Sequence, residues 1–259
     1  MLLQASIAAS RRPVDLGTLA LWHDYSDASS LSTNYVAPPP TPVNNDGVGY
    51  LGDKSGNGYV ATAIYVPDRP TFKTAVLNGQ SGLLFNGTSN RPIAPSNGTL
   101  TSDRAALTIY SVVKWSAVPT GREVILRVFV SGVSSFIEVA SSSDAAGKIR
   151  IYGKKAIADS PVSLDGTTSI TTGAMLVTSV WDWASAKMSV YLNGSLEAST
   201  SSFFTPGNSE NAARQLAIGN SGGAGFFNGY QFEHKGYWKA HGPAERAAVW
   251  AALNAKYGL

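Results

Sequence analysis

Residues 175–194, MLVTSVWDWASAKMSVYLNG, decide the fold of this chain. In the second half of this stretch, apolar and polar side chains alternate from Lys187 to Leu192. Because successive side chains of a β-strand point to opposite faces, this alternation predicts a half-buried antiparallel strand. The preceding run, 175–183, is rich in β-branched and aromatic residues and predicts a second strand. Asn193 and Gly194 tolerate the positive φ of a tight hairpin turn, so the stretch predicts antiparallel strands joined by short turns.

The same signature recurs along the chain. Two Asp-Gly dipeptides occur at Asp46 and Asp165, and six Asn-Gly dipeptides begin at Asn57, Asn78, Asn86, Asn97, Asn193 and Asn228. Three of the six are also glycosylation sequons, but a turn explains all six. Further short β-rich runs lie at residues 19–23, 83–85, 107–115, 123–130, 135–140, 148–153, 215–220 and 229–238. Their spacing predicts an all-β fold, a two-sheet antiparallel sandwich.

Both ends of the chain depart from this pattern. Pro243 suits the first turn of a helix, and apolar residues then recur at helical spacing, so one amphipathic helix is predicted over 243–257. Residues 1–15 predict an N-terminal arm that would not fold alone and that we take as a candidate anchor. A single domain is predicted over 16–259. Within it, the proline-rich stretch 34–50 resists strand pairing and predicts a loop.

The composition excludes several classes of function. Only 14% of the 259 residues are charged and the net charge is +3, too small a bias for a dedicated nucleic-acid binder. The absence of Cys excludes disulfides, thiolate metal sites and thiol nucleophiles. No apolar run approaches the ~18 residues that span a bilayer, and the pair Arg11-Arg12 follows the apolar stretch, the wrong order for a signal peptide. We expect a globular protein that folds in a reducing compartment, with neither nucleic-acid binding nor membrane insertion.

Several segments in succession resemble one known family. They lie at residues 19–31, 53–62, 69–90, 109–115, 190–199, 216–220 and 227–259. The last is the most specific, because a strand with Glu233 and Tyr237 precedes a short helix that ends in Lys256-Tyr257-Gly258-Leu259. Over about residues 16–259 this succession resembles the concanavalin A-like, laminin G-like jelly-roll domain of bacterial surface and phage virion proteins. The resemblance implies a two-sheet jelly roll and adhesion to glycans or proteins, and it does not imply catalysis.

Catalysis would need residue patterns that this sequence lacks. β-Glucanases that share the resembled fold place two glutamates and an aspartate on one strand face, and no such alternation occurs. Polysaccharide lyases of the fold share three strand motifs, of which GREVILR (121–127) gives a faint match to one. No Gly-x-Ser-x-Gly elbow occurs, and His23, His234 and His241 fit no compact metal pattern. We expect no enzyme activity.

Aromatic side chains are the candidates for glycan binding, because a sugar ring stacks on an aromatic face beside polar groups. Trp181 and Trp183 share one face of their strand. They form either a sugar platform or, the interpretation that we favour, part of the sandwich core. Tyr237 and Trp238 point to opposite faces, so at most one is expected in the core and the other is a second candidate contact for a glycan or a protein.

One loop offers oxygen ligands for a cation. DKSGNG (53–58) places Asp53, Ser55 and Asn57 at alternate positions. The resemblance makes calcium an alternative there, since laminin G-like domains often hold calcium in loops. An Asp/Asn-stabilised turn needs no metal, and we favour the turn. We therefore expect no required cofactor and no metal site.

The sequence thus leads to two functional hypotheses. The first is a non-enzymatic phage virion protein, a capsid decoration, fibre or tail component that is assembled in the host cytoplasm. In it, the 34–50 loop and the arm, with Arg11 and Arg12 pairing with acidic groups, would contact other virion proteins, and a homo-oligomer is expected. The second is a carbohydrate-binding adhesion module for cell-surface polysaccharide. A glycan lyase or hydrolase is the least favoured.

Overall fold

The computed structural model describes residues 16–94, 98–130, 135–145, 147–220 and 225–259. Residues 1–15, with the anchoring candidates Arg11 and Arg12, therefore lie outside the described residues. The described chain contains one α-helix, α1 (Pro243–Tyr257), and two short 3-10 helices, Ala28–Ser30 and Val66–Asp68. The strands are β1 (Leu19–Asp24), β2 (Leu31–Ser32), β3 (Tyr50–Leu51), β4 (Ala61–Thr62), β5 (Thr71–Leu77), β6 (Gln80–Asn86), β7 (Ala106–Trp115), β8 (Val124–Phe129), β9 (Ser135–Ser141), β10 (Lys148–Gly153), β11 (Val162–Ser169), β12 (Ala174–Asp182), β13 (Lys187–Leu192), β14 (Ser195–Thr200), β15 (Gln215–Ile218) and β16 (Asn228–Tyr237).

These strands form two main antiparallel sheets. The larger has the order β14-β13-β12-β7-β16-β6-β5, and β1 pairs with the second half of β16. The smaller has the order β11-β10-β9-β8-β15, and β2, β3 and β4 form a short third sheet. The hairpin predicted from residues 175–194 is confirmed as β12 and β13, with Trp181 opposite Met188. The all-β antiparallel sandwich is confirmed as well.

The two main sheets pack face to face over one apolar cluster. Ile109, Trp181 and Val190 reach it from the larger sheet, and Ile137 and Ile151 reach it from the smaller one. The two sheets are also hydrogen-bonded through indole groups. Nε1 of Trp181 donates to the carbonyl of Tyr152 at 2.8 Å, and Nε1 of Trp183 donates to the carbonyl of Lys154 at 2.7 Å. A buried indole N–H needs such a partner, so these bonds fix β12 against the end of β10.

Gly153 lies between those two accepting residues, and its lack of a side chain permits the packing. A Cβ at this position would stand 2.5 Å from Phe203 Cζ and 2.7 Å from Trp181 Cδ1. Both rings are fully buried in the core, so neither can move aside cheaply. The close approach of the sheets here depends on glycine.

Helix α1 covers the opposite face of the larger sheet, as the helical spacing over 243–257 predicts. Val249, Leu253 and Tyr257 pack on Val112 and Phe232 of the central strands. The helix ends at Gly258, which adopts the left-handed conformation with φ of 67° and donates to the carbonyl of Asn254. No helix in the described part of the chain is long and apolar enough to cross a membrane.

A buried ionic cluster fixes the end of this helix. The carboxylate of Glu233 on β16 accepts hydrogen bonds from Trp22 Nε1 at 2.9 Å and from the Tyr257 hydroxyl at 2.8 Å. Lys256 Nζ lies 2.7 Å from Glu233 and 2.8 Å from Asp24. Although burial opposes it, the hydrogen bond from Lys256 holds the pKa of Asp24 below its usual value. The cluster joins β1, β16 and α1.

Gly153→Ala is expected to lower the free energy of unfolding by about 1–3 kcal/mol, because the added methyl group overpacks the contact with Phe203 and Trp181. Gly121→Ala is the matched control, since a Cβ at Gly121 meets nothing within 4 Å. Urea unfolding followed by tryptophan fluorescence measures both values. Equal free energies for the two variants would contradict the packing argument.

Candidate functional site

The structure places Trp181 and Trp183 in the core, so their prediction as glycan-binding residues is wrong. Both side chains are fully buried. The Trp183 ring packs between Phe136 and Phe203, with centroid distances of 6.1 and 6.3 Å. Since their indole N–H groups are also bonded to the facing sheet, no face or edge is left for a sugar. Trp181 and Trp183 therefore belong to the sandwich core, the alternative that the sequence favours.

Tyr237 and Trp238 point to opposite faces, but both pack against apolar clusters. Tyr237 is buried beneath α1, with its ring 4.7 Å from that of His241. It therefore cannot bind a glycan. Trp238 is half-buried against the inner cluster, its Nε1 donates to the carbonyl of Leu100 at 2.9 Å, and the Arg104 guanidinium lies 3.8 Å from its ring centroid. The prediction that at most one of the two is core is confirmed, because Tyr237 is buried whereas Trp238 is only half-buried against its cluster. Trp238 as a contact residue stays a prediction.

The loop at 53–58 is built as a turn. Asp53 Oδ1 accepts hydrogen bonds from the backbone N–H groups of Trp22 and Ser55, at 2.9 and 3.0 Å. Oδ2 accepts from the Ser55 hydroxyl at 2.8 Å and from the Tyr59 N–H at 2.9 Å. Asn57 Nδ2 donates to the carbonyl of Leu19. A cation at Asp53 would have to displace these four bonds, and no group of three or more acidic or histidine side chains able to hold a metal occurs among the described residues.

The faint lyase motif at 121–127 does not assemble into a site. Arg122 makes a bidentate pair with Glu138, which is fully buried. Glu123 instead accepts from the backbone N–H of Asn228 at 3.0 Å, and burial raises the pKa of its carboxyl group. Arg122 and Glu123 therefore take part in separate structural contacts and do not form one site.

All three histidines are buried and hydrogen-bonded. His23 Nε2 donates to the carbonyl of Tyr59 at 2.7 Å, and His241 Nε2 donates to the carbonyl of Leu16 at 2.7 Å. His234 lies 2.9 Å from both the Ser111 hydroxyl and Gln231 Oε1. Burial lowers the pKa of His234 to about 3 and also lowers the pKa values of His23 and His241. All three rings are thus neutral at pH 7, and they serve the fold.

An open groove lies where the loop at 62–69 meets the edge of the smaller sheet, and we call it the tyrosine groove. Tyr65 precedes the 3-10 helix Val66–Asp68 and has an extended backbone. Pro67 lies in the first turn of that helix, where its fixed φ is tolerated. Arg69 then fixes the loop, because its guanidinium donates to the carbonyls of Thr33, Ala63 and Ile64. Because half-buried Arg69 binds three backbone carbonyls, it holds this loop in one conformation.

The tyrosine groove combines an aromatic face with planar polar groups. It has a volume of about 380 Å³ and is lined by Tyr65, Ile64, Asp68, Arg91, Ile93 and Gln215. Tyr65 is 67% exposed and Ile64 is 58% exposed. Arg91 Nε donates to Asp68 Oδ2 at 2.8 Å, while the Arg91 side chain remains 42% exposed. The groove thus offers a large apolar face beside hydrogen-bond donors and acceptors.

The polar groups of this groove suit a neutral, hydroxyl-rich ligand. The Arg91–Asp68 pair cancels its own charge, yet Arg91 keeps its two terminal nitrogens as donors and Asp68 keeps Oδ1 as an acceptor. Gln215, at the start of β15, adds an amide that both donates and accepts. Adjacent hydroxyl groups of a sugar need such a set of donors and acceptors around a ring that stacks on an aromatic side chain.

The sequence reasoning missed every residue of this groove. Tyr65, Arg91 and Gln215 are far apart in the sequence and follow no shared period. The one local signal is IYVPDRP (64–70), in which three large apolar residues precede a proline-flanked turn. A strand pattern would bury alternate members of such a run, whereas a proline turn leaves them exposed.

Comparisons with known proteins point to a lectin-like fold. The family model of the concanavalin A-like lectin/glucanases superfamily matches residues 86–244. The binding domain of botulinum neurotoxin serotype G superposes with a TM-score of 0.62 at 13% identity, covering 91% of this chain and 51% of that one. The botulinum neurotoxin serotype D ligand binding domain in complex with N-acetylneuraminic acid superposes with a TM-score of 0.60 at 12% identity, covering 91% of this chain and 51% of that one. Trypanosoma rangeli sialidase superposes with a TM-score of 0.59 at 14% identity, covering 92% of this chain and 33% of that one. The chain thus spans about half of the neurotoxin chains and about a third of the sialidase. No curated protein sequence matches it.

The free energy of unfolding is expected to fall as the pH is lowered from 7.5 to 5.0, because the unfolded chain protonates histidines that the folded chain keeps neutral. His234 alone accounts for about 2 kcal/mol of this loss. His234→Gln removes that contribution, and urea unfolding at the two pH values measures the difference. An unchanged loss in the variant, or an NMR titration that protonates His234 near pH 6.5 in the native protein, would contradict the assignment.

Proposed function

This chain belongs to the concanavalin A-like lectin/glucanases superfamily. We propose that it is a non-enzymatic glycan-binding domain and that it is carried on a phage particle. The observation that carries the glycan-binding part is the tyrosine groove, where Tyr65 stands exposed beside the Arg91–Asp68 pair. The structural neighbours include toxin binding domains, one of them in complex with N-acetylneuraminic acid, which supports sugar binding as the class of function.

Two features of the groove support binding without catalysis. Glycoside hydrolysis needs two carboxyl groups on either side of one bond. Asp68 is the single carboxylate among the described groove residues, and Arg91 neutralises it. Asp24 and Glu233 are two carboxylates that both pair with Lys256. Both are buried and hydrogen-bonded, so no substrate reaches them.

Tyr65→Ala is expected to weaken glycan binding at least about tenfold, because it removes the stacking face and leaves the polar groups in place. The test is a glycan array with the full chain, followed by titration of the glycan that binds. Tyr35→Ala is the matched control, since Tyr35 is a 53% exposed tyrosine outside the groove. Full binding by Tyr65→Ala, or no binding by the native chain to any glycan, would contradict the proposal.

A particle-bound role is the second part of the proposal, and a patch of exposed apolar side chains supports it. Eight large apolar side chains are exposed in the described chain, and three of them, Tyr35, Val36 and Val43, lie on the proline-rich loop outside the tyrosine groove. The Arg69 guanidinium bonds the carbonyls of Thr33 and Ile64, which places the start of this loop next to the groove loop. Exposed apolar side chains that cluster in this way are typical of protein contacts. Val36 and Val43 belong to the proline-rich loop, which would contact other virion proteins or a second copy of the chain in a homo-oligomer, together with the arm at 1–15 and its Arg11 and Arg12.

The double variant Val36→Ser/Val43→Ser is expected to fold normally but to reduce incorporation into particles, because both side chains are more than half exposed and would lose an apolar contact. Val118→Ser, at a 50% exposed valine outside the patch, is the control. Particles assembled in the host are purified by sedimentation, and the bound protein is quantified. Normal incorporation of the double variant and of a chain lacking residues 1–15 would rule out docking through these segments.

A further inference from the structure

A second groove shares a segment of chain, residues 210–215, with the tyrosine groove, and we call it the phenylalanine groove. It has a volume of about 470 Å³ and lies between the loop that follows β10 and the loop that follows β14. Phe204 supplies an aromatic face there, and the groups around it are Lys155, Asp159, Asn208 and Glu210. The combination of one aromatic ring with donors and acceptors repeats that of the tyrosine groove.

Hydrogen bonds hold the two loops of this groove together. The backbone N–H of Glu210 donates to the carbonyl of Lys155 at 2.8 Å, and the N–H of Ile157 donates to Glu210 Oε2 at 2.9 Å. Lys155 Nζ in turn donates to the carbonyl of Thr205 at 2.9 Å. Bonds in both directions between the loops fix the groove before any ligand arrives, which reduces the entropy that binding would cost.

Phe204 has a strained backbone that presents its ring to the groove. Its φ is +63°, in the left-handed region that a bulky side chain rarely occupies. The ring packs 5.1 Å from that of the buried Phe203 but stays half-exposed. Such strain persists only where the surroundings impose it, and it is concentrated at binding and catalytic sites. At this position the backbone conformation lets Phe203 be buried in the core while the adjacent Phe204 stays half-exposed.

A short rigid segment separates the two grooves. Glu210 lines the phenylalanine groove and Gln215 lines the tyrosine groove. Arg214 between them is fully buried, and its guanidinium donates to the carbonyls of Thr101 and Ala212 and to Glu210 Oε2. Five residues of extended chain span at most about 17 Å, so the edges of the two grooves at Glu210 and Gln215 lie within reach of one extended ligand.

We propose that the two grooves bind successive parts of one neutral polysaccharide chain, so that the ligand of this domain is an internal stretch of polymer rather than a single terminal sugar. This inference rests on the glycan-binding function proposed above. The charges favour a neutral chain, because Arg91 is paired with Asp68 and Glu210 is paired with Arg214. The other basic lining residue, Lys155, donates its Nζ hydrogen bonds to the carbonyls of Thr205 and Pro206 and to the Thr205 hydroxyl, so neither set of described lining residues offers a polyanion a free cation.

The test measures how affinity depends on the length of the glycan. The polysaccharide that gives the strongest array signal is cut into a size-graded series, and each fragment is titrated calorimetrically against the full-length native protein. The key variant is Phe204→Asn, because asparagine removes the ring yet tolerates the left-handed backbone. Leu196→Ala is the control, since Leu196 is 55% exposed and lines neither groove.

Native protein is expected to gain at least about tenfold in affinity between the shortest bound fragment and the longer ones, as the second groove adds its contact. Phe204→Asn is expected to bind the shortest fragment normally and to lose that gain, whereas Tyr65→Ala weakens every length. Short fragments should change the NMR chemical shifts of residues 62–68 alone. Long fragments should change the chemical shifts of residues 62–68 and of residues 204–208. Affinity should change little with added salt, because no net charge is paired on binding.

The outcomes separate this inference from the proposed function. If Tyr65→Ala abolishes binding while Phe204→Asn matches the native protein at every length, glycan binding stands and the two-groove inference fails. The inference also fails if affinity does not rise with length, or if it falls steeply as salt is added. If the native protein binds no glycan at all, the proposed function fails and the two-groove inference fails with it.

Discussion

The carboxylate of Glu233 is almost completely buried, and a buried carboxylate is stable only while cations and hydrogen-bond donors surround it. Its partners on other elements come from two that are distant in sequence: Trp22 on β1, and Lys256 and Tyr257 at the end of α1. Meeting that requirement positions β1 against β16 and seats the helix on the larger sheet. The helix then covers the outer face of that sheet, and both grooves lie instead on loops beside the smaller one.

Residue type alone does not decide where a ligand can bind in such a sandwich. Trp181 and Trp183 are the largest apolar side chains of their strand, and the space between the sheets takes both of them together with their indole N–H groups. The exposed aromatic rings lie outside the main sheets, where the backbone is held by other means. Tyr65 precedes a proline turn, and Phe204 lies at a positive φ. Tyr65 is exposed and Phe204 is half-exposed because local backbone geometry overrides the tendency of an apolar side chain to be buried.

The sequence predicts the fold well and the site poorly, for physical reasons. Alternation over 187–192, the turn at Asn193 and the helical spacing over 243–257 are local patterns, and β13 and α1 follow them closely. Burial is not local. Whether Tyr237 faces solvent depends on a helix that begins six residues later, and whether Asp53 can hold a cation depends on the N–H groups of Trp22 and Tyr59. The tyrosine groove joins residues 65, 91 and 215 through pairing that no single segment encodes.

The pairing of β1 with β16 brings two distant parts of the described chain to one place. Leu16 and Leu259 both pack against the apolar cluster beneath α1, and His241 holds the carbonyl of Leu16. These two positions therefore lie on the helix-covered side of the larger sheet, apart from the loops that form the grooves. A label or tether attached at either of these two positions would therefore leave both groove loops uncovered.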